Sequence, residues 1–161
     1  MHNIVKRTTL IVRDMDSSLR WYREVLGLSV YYDKPITLSG IGMAAGKAGD
    51  VTRLVILRGD HPEIGMIGLL QWLKPVLPAP ATIPTGVTYG NPTFVVGSDD
   101  AREAHRRALA LGTPVHAAPH EWSVEGADGS TKFFLSASLF DPDGYFYEFN
   151  QLLLVEPPPA P

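Results

Sequence analysis

The chain has 161 residues, 45% of them hydrophobic and 19% charged, with a formal net charge of −3. That composition suits one globular domain, or two half-domains sharing one fold, and excludes a disordered or fibrous chain. The mild negative charge gives no general attraction to nucleic acid, the lack of cysteine removes disulfides and thiolate chemistry, and no apolar run approaches the ~20 residues of a membrane span, so a cytoplasmic protein is expected.

Lys6 to Val12 mixes apolar and β-branched residues and predicts a strand. Asp14 is placed to cap the helix that follows, Leu19, Tyr22, Val25 and Leu26 form its apolar stripe, and Gly27 stops it. Leu28 to Asp33 predicts a second strand, and Lys34 to Asp50, with four glycines, a long connection. Val51 to Arg58 and Glu63 to Leu73 predict a hairpin turned around Gly59, Asp60, His61 and Pro62. Pro75, Pro78, Pro80 and Pro84 mark an extended linker.

The order then returns: a strand at Asn91 to Gly97, a helix at Asp99 to Leu111, and a strand at Pro114 to Ala118. A polar connection at His120 to Ser130 leads to strands at Thr131 to Phe140 and Tyr145 to Leu152. Asp141 to Gly144 reads DPDG, a tight turn in which proline sets one dihedral and glycine takes a positive φ. The halves also repeat in sequence. Val12 matches Val96 and Asp16 matches Asp100 at a spacing of 84, and Gly27 matches Gly112 and Val30 matches Val115 at 85.

With TTLIVRDMDSSLRWYREVLGL near the start and DPDGYFYEF near the end, this repeated order resembles the vicinal oxygen chelate superfamily, which includes glyoxalase I, bleomycin-resistance proteins and extradiol dioxygenases. The resemblance covers Val5 to Gln151. It implies an α+β fold of two paired βαβββ modules forming a cupped mixed β-sheet, a glyoxalase-like fold in one domain. The modules are expected at residues 4–74 and 90–152, with a Pro-rich linker at 75–89 and a frayed tail at 153–161.

Enzymes of that family place a divalent metal on four side chains, one from the first and one from the last strand of each module. Carried over by motif, those positions are Arg7, Gly68, Asn91 and Glu148. Arginine stays protonated, glycine has no side chain and an Asn amide is a weak ligand, so Glu148 alone keeps the ligand type and no metal cofactor is expected. If a metal is bound, Glu148 holds it. Alternation along the strands places Thr9, Met66, Leu70, Thr93 and Phe146 on the same faces as these four positions, as candidate ligand contacts. Arg7 and Glu148 either pair structurally, or Arg7 binds a ligand anion while Glu148 acts as a general base.

Among the histidines, His2, His61 and His105 are expected to be solvated. His116 and His120 are spaced for chelation on a helix, which Pro114 and Pro119 argue against, and with Trp122 they could reach a cavity mouth. The resemblance therefore implies a protein that binds a small organic molecule without a metal, assembled as a homodimer, with no nucleic-acid or membrane partner. The alternatives are a glyoxalase-like lyase or isomerase, or a ring-cleaving dioxygenase, with an unconventional metal site. A closed cavity would instead leave a protein partner.

Overall fold

The computed structural model describes residues 3–62 and 64–158. Expectations that fell on His2, on Glu63 and on the tail from Pro159 to Pro161 lie outside these residues. Two compact units divide the chain, Met1–Thr82 and Ile83–Pro161, so the division falls within the proline-rich stretch.

The first unit runs β1 (Arg7–Ile11), α1 (Met15–Glu24), β2 (Ser29–Thr37), β3 (Val51–Arg58) and β4 (Met66–Lys74). Its sheet has the order β1-β4-β3-β2, with β1 parallel to β4 and the other pairs antiparallel. The second unit repeats this with β5 (Thr93–Gly97), α2 (Ala101–Ala110), β6 (Val115–Glu125), β7 (Thr131–Phe140) and β8 (Phe146–Glu156). Its order is β5-β8-β7-β6, again with one parallel pair, β5 with β8. Two βαβββ modules, each a four-stranded mixed sheet with one helix, are the architecture implied by the sequence.

In each unit the helix covers one face of the sheet. Leu10, Leu69, Val55 and Leu57 are buried in the first unit, as are Leu135, Leu139, Tyr147 and Phe149 in the second. Each such side chain contributes about 1.5–3 kcal/mol when fully removed from water. The buried stripe of α1 is Met15, Ser18, Trp21 and Tyr22, continued by Val25, so it is rotated from the expected one, and Leu19 and Leu26 sit half-buried at its flank. Small Ser18, fully buried, lies within that stripe beside the bulky rings of Trp21 and Tyr22.

Several boundaries differ from expectation. β2 continues to Thr37 through Pro35, and β6 continues to Glu125 through Pro119, where a short strand and a polar connection were expected. Both are edge strands, which tolerate a residue without a backbone donor, and Pro119 also lies in a register irregularity between Ala117 and His120. β8 pairs with β7 as far as Glu156, so residues 153–156 are strand rather than frayed tail. The DPDG turn forms as expected: the Gly144 amide donates to the Asp141 carbonyl at 3.1 Å, and Gly144 has φ 88°.

The repeat itself has a different phase at its start. Asp14 caps α1 and Asp100 caps α2, 86 residues apart, and Arg7 and Thr93 open their strands at the same spacing. The register agrees, since Arg7 pairs with Met66 and Thr93 with Phe146. The counterpart of Arg7 is therefore Thr93, not Asn91.

Candidate functional site

The sheet face turned away from α2 is built from alternate residues of β6, β7 and β8. Register places Ser136 opposite Asn150 and Ser138 opposite Glu148 on one side, and His120 opposite Ser136 and Trp122 opposite Phe134 on the other. The intervening residues Leu135, Ala137 and Leu139 point the other way and are buried. Ser136 and Ser138 are buried too, which makes this a polar strip in the middle of an otherwise apolar strand.

A directed hydrogen-bond chain crosses the strip. The Trp122 indole Nε1–H donates to Ser136 Oγ at 2.6 Å, the Ser136 hydroxyl donates to Asn150 Oδ1, and Asn150 Nδ2 donates to Glu148 Oε1 at 2.8 Å. Each link fixes the next: an indole can only donate, so the serine proton turns to the asparagine, whose amide group then faces the carboxylate. The carboxylate is half-buried. Trp122 also stacks on Phe134 with centroids 5.2 Å apart and 24° between planes.

Over this chain lies a cavity of about 270 Å³ lined by His120, Trp122, Ser136, Ser138 and Glu148. His120 Nδ1 is 3.0 Å from the Ala118 carbonyl, which can only accept, so Nδ1 carries the proton. His116 instead packs edge-on against Phe146, 5.9 Å between centroids, and against Phe140. Both histidines lie on β6, an extended strand.

The other expected site residues are placed as follows. Phe146 opens β8 beside Thr93. Asn91 lies ahead of β5 and closes a local turn, its Oδ1 accepting from the Thr88 amide at 3.2 Å while its own amide donates to the Thr88 carbonyl. In the first unit Arg7 Nε donates to Thr9 Oγ1 at 3.1 Å, and Thr9 pairs with Gly68. A Cβ on Gly68 would come within 2.8 Å of Thr9 Oγ1 and 3.1 Å of Arg7 Cδ, so the arginine and threonine side chains occupy the space that a side chain at position 68 would need. Met66 is half-buried and Leu70 buried on β4. Ser136 and Ser138 were not singled out from the sequence as site residues, whereas His120 and Trp122, expected to reach a cavity mouth, both line this cavity. The available signal was the Ser-x-Ser alternation within TKFFLSASLF, polar residues at alternate positions of a strand that reads as buried.

Charge elsewhere is engaged locally. The Arg53 guanidinium holds the Asp33 carboxyl below its ordinary range through hydrogen bonds of 2.9 and 2.7 Å. The Trp72 indole and the Lys47 amide do the same for Asp50, which ties down the glycine-rich connection after β2. On α2, Arg106 and Arg107 pull Glu103 down to about 2. A larger groove of about 710 Å³ runs along α1 and the start of β2, but its Arg20 and Glu24 pair with each other at 3.1 Å, as expected of a solvated helix flank.

The donor set does not fit a divalent ion of the expected kind. Arg7 and Gly68 supply no ligand, Thr93 in the Arg7-equivalent place offers only a hydroxyl, and Glu148 remains as one carboxylate. Among the described residues no three His, Asp or Glu side chains gather as a metal group.

Repeated βαβββ modules with one helix over each mixed sheet define the glyoxalase-like class of folds. The family model described as Glyoxalase/Bleomycin resistance protein/Dioxygenase superfamily matches residues 4–149, and the chain belongs to that superfamily. Among solved structures it is similar to a glyoxalase family protein from Bacillus cereus, at 15% identity and a TM-score of 0.68 over 94% of this chain and 97% of that one. It is also similar to the trypanothione-dependent glyoxalase I of Leishmania major, at 20% identity and a TM-score of 0.57 over 93% and 87% of the two chains. TioX from a Micromonospora species follows at 16% identity and a TM-score of 0.52, over 94% of this chain and 100% of that one. At these identities the likeness concerns the fold. No match was found among the curated proteins.

Proposed function

We infer that this protein binds a small organic molecule in the cavity of its second module, and does so without a divalent metal. The hydrogen-bond chain from Trp122 to Glu148 carries the reading. It fixes a half-buried carboxylate and an aromatic face beside a cavity of about 270 Å³, a size for a compact ligand. A few oriented polar groups among aromatic surfaces are the usual make-up of a ligand site. The chemistry of the donor set supports a metal-free mode, because a guanidinium and a glycine stand at two of the four positions where the family's enzymes place ligands.

The test is a ligand screen on protein stripped with a chelator, followed by ¹H–¹⁵N spectra in which the indole signals of Trp21, Trp72 and Trp122 are resolved. Bound ligand is expected to shift the Trp122 signal while leaving Trp21 and Trp72, both buried, near their free positions. Ligands that bind only after a divalent ion is restored would refute the metal-free reading and favour lyase or dioxygenase chemistry.

A further inference from the structure

We propose that the ligand of this cavity is a donor-rich organic cation, an aromatic or alkyl ammonium compound, held by Glu148 with its apolar part against Trp122; the proposal rests on the reading of this cavity as a ligand site. The ground is a count of donors and acceptors. The indole N–H of Trp122 is spent on Ser136, and the hydroxyl proton of Ser136 is spent on Asn150. The Nδ1 proton of His120 is spent on the Ala118 carbonyl, which leaves Nε2 an acceptor in the neutral imidazole.

Asn150 binds Oε1 of Glu148, so the second carboxylate oxygen keeps its full capacity to accept. Of the five lining side chains only the Ser138 hydroxyl can still both donate and accept. The surplus at the cavity wall is therefore acceptor capacity and one negative charge. A carboxylate or phosphate ligand would meet like charge there, whereas an ammonium group supplies three donors and the opposite charge. The Trp122 ring, supported from one side by Phe134, adds a face that attracts cations and apolar groups alike.

Three probes of one shape separate the possibilities: phenethylamine, phenethyl alcohol and 3-phenylpropionate. Their affinities are measured at pH 8, where the amine is charged, by the Trp122 signal in wild-type protein and in Glu148→Gln. The substitution keeps size and the partner for Asn150 while removing charge, and thermal melting confirms that the variant is folded. The amine is expected to bind about tenfold or more tighter than the alcohol, in keeping with a charge-assisted hydrogen bond. That preference should collapse in Glu148→Gln and weaken as salt is raised.

Equal binding of all three, or tighter binding of the acid, would overturn the cation assignment while leaving a small-ligand site standing. An amine preference that persists unchanged in Glu148→Gln would also overturn it. Failure of every probe to move the Trp122 signal would overturn both the assignment and the reading beneath it. As a second variant, Ser138→Ala leaves the charge in place and is expected to weaken amine and alcohol binding to a similar degree.

Discussion

Gly68 stands at the position that the family resemblance equates with a ligating carboxylate, and its neighbours explain why a side chain does not fit there easily. Thr9 Oγ1 and Arg7 Cδ lie 2.8 and 3.1 Å from where its Cβ would be, and the Arg7–Thr9 hydrogen bond holds both in place. Arginine at position 7 and glycine at 68 are thus a matched pair: the long side chain uses the space the absent one leaves. Gly68→Ala is expected to cost about 1–3 kcal/mol, in the range for overpacking a buried position. Thr9→Ala removes the nearer contact, so the double variant should be more stable than the sum of the singles by about 0.5 kcal/mol or more. Urea denaturation of the four proteins measures this. Strict additivity would mean that Thr9 moves aside freely and that the pairing is accidental.

Each helix start is tied to the last strand of its own module by a glutamine. Gln71 Oε1 accepts from the Met15 amide at 3.3 Å, and Gln151 Oε1 accepts from the Ala101 amide at 3.2 Å. Asp14 and Asp100 meanwhile take the amides of Ser17 and Glu103. Two of the amides that a helix N-terminus leaves without partners are thereby satisfied in both modules. Gln71→Leu and Gln151→Leu are each expected to cost about 0.5–1.5 kcal/mol. Faster amide exchange confined to Met15 or to Ala101 would locate the loss, and unchanged exchange would show the contact to be idle.

This symmetry was hidden in the sequence because glutamine carries no helix-start signal at a distance. The strands at Val51–Arg58 and Thr131–Phe140 were legible to the residue, being apolar runs bounded by turn residues. β2 and β6 were cut short because proline argues against a strand unless the strand is an edge, and edges are known only once the sheet order is. The repeat was legible, but its phase slipped by two residues at β5. A slip of two preserves the alternation of faces, so nothing in the pattern exposed it. The cavity was half-legible: Glu148 came from the motif, and His120 and Trp122 were expected at a cavity mouth, whereas Ser136, Ser138 and Asn150 become partners only through cross-strand register.

Taken as a whole, the chain carries two copies of one architecture whose corresponding faces have diverged. Leu54 pairs with Leu70 and Ile56 with Gly68 in the first module, where Ser136 pairs with Asn150 and Ser138 with Glu148 in the second. One copy is apolar and the other a hydrogen-bonded polar strip, so the Glu148 carboxylate has only the hydrogen of Gly68 as its counterpart. Ions such as Zn²⁺ and Fe²⁺ need several nitrogen or carboxylate donors together to outcompete water and buffer, and one carboxylate at the four family positions, with the His120 imidazole beside it in the cavity, falls short of such a set. Untagged protein stripped with a chelator, supplied with Fe²⁺, Mn²⁺, Ni²⁺ or Zn²⁺ and then desalted, is accordingly expected to retain far less than one ion per chain by elemental analysis. Near-stoichiometric retention that disappears in Glu148→Ala would mean that donors beyond the four family positions complete a site around this carboxylate. Retention that survives Glu148→Ala would locate the ion elsewhere and leave the proposed ammonium-binding role of Glu148 untouched.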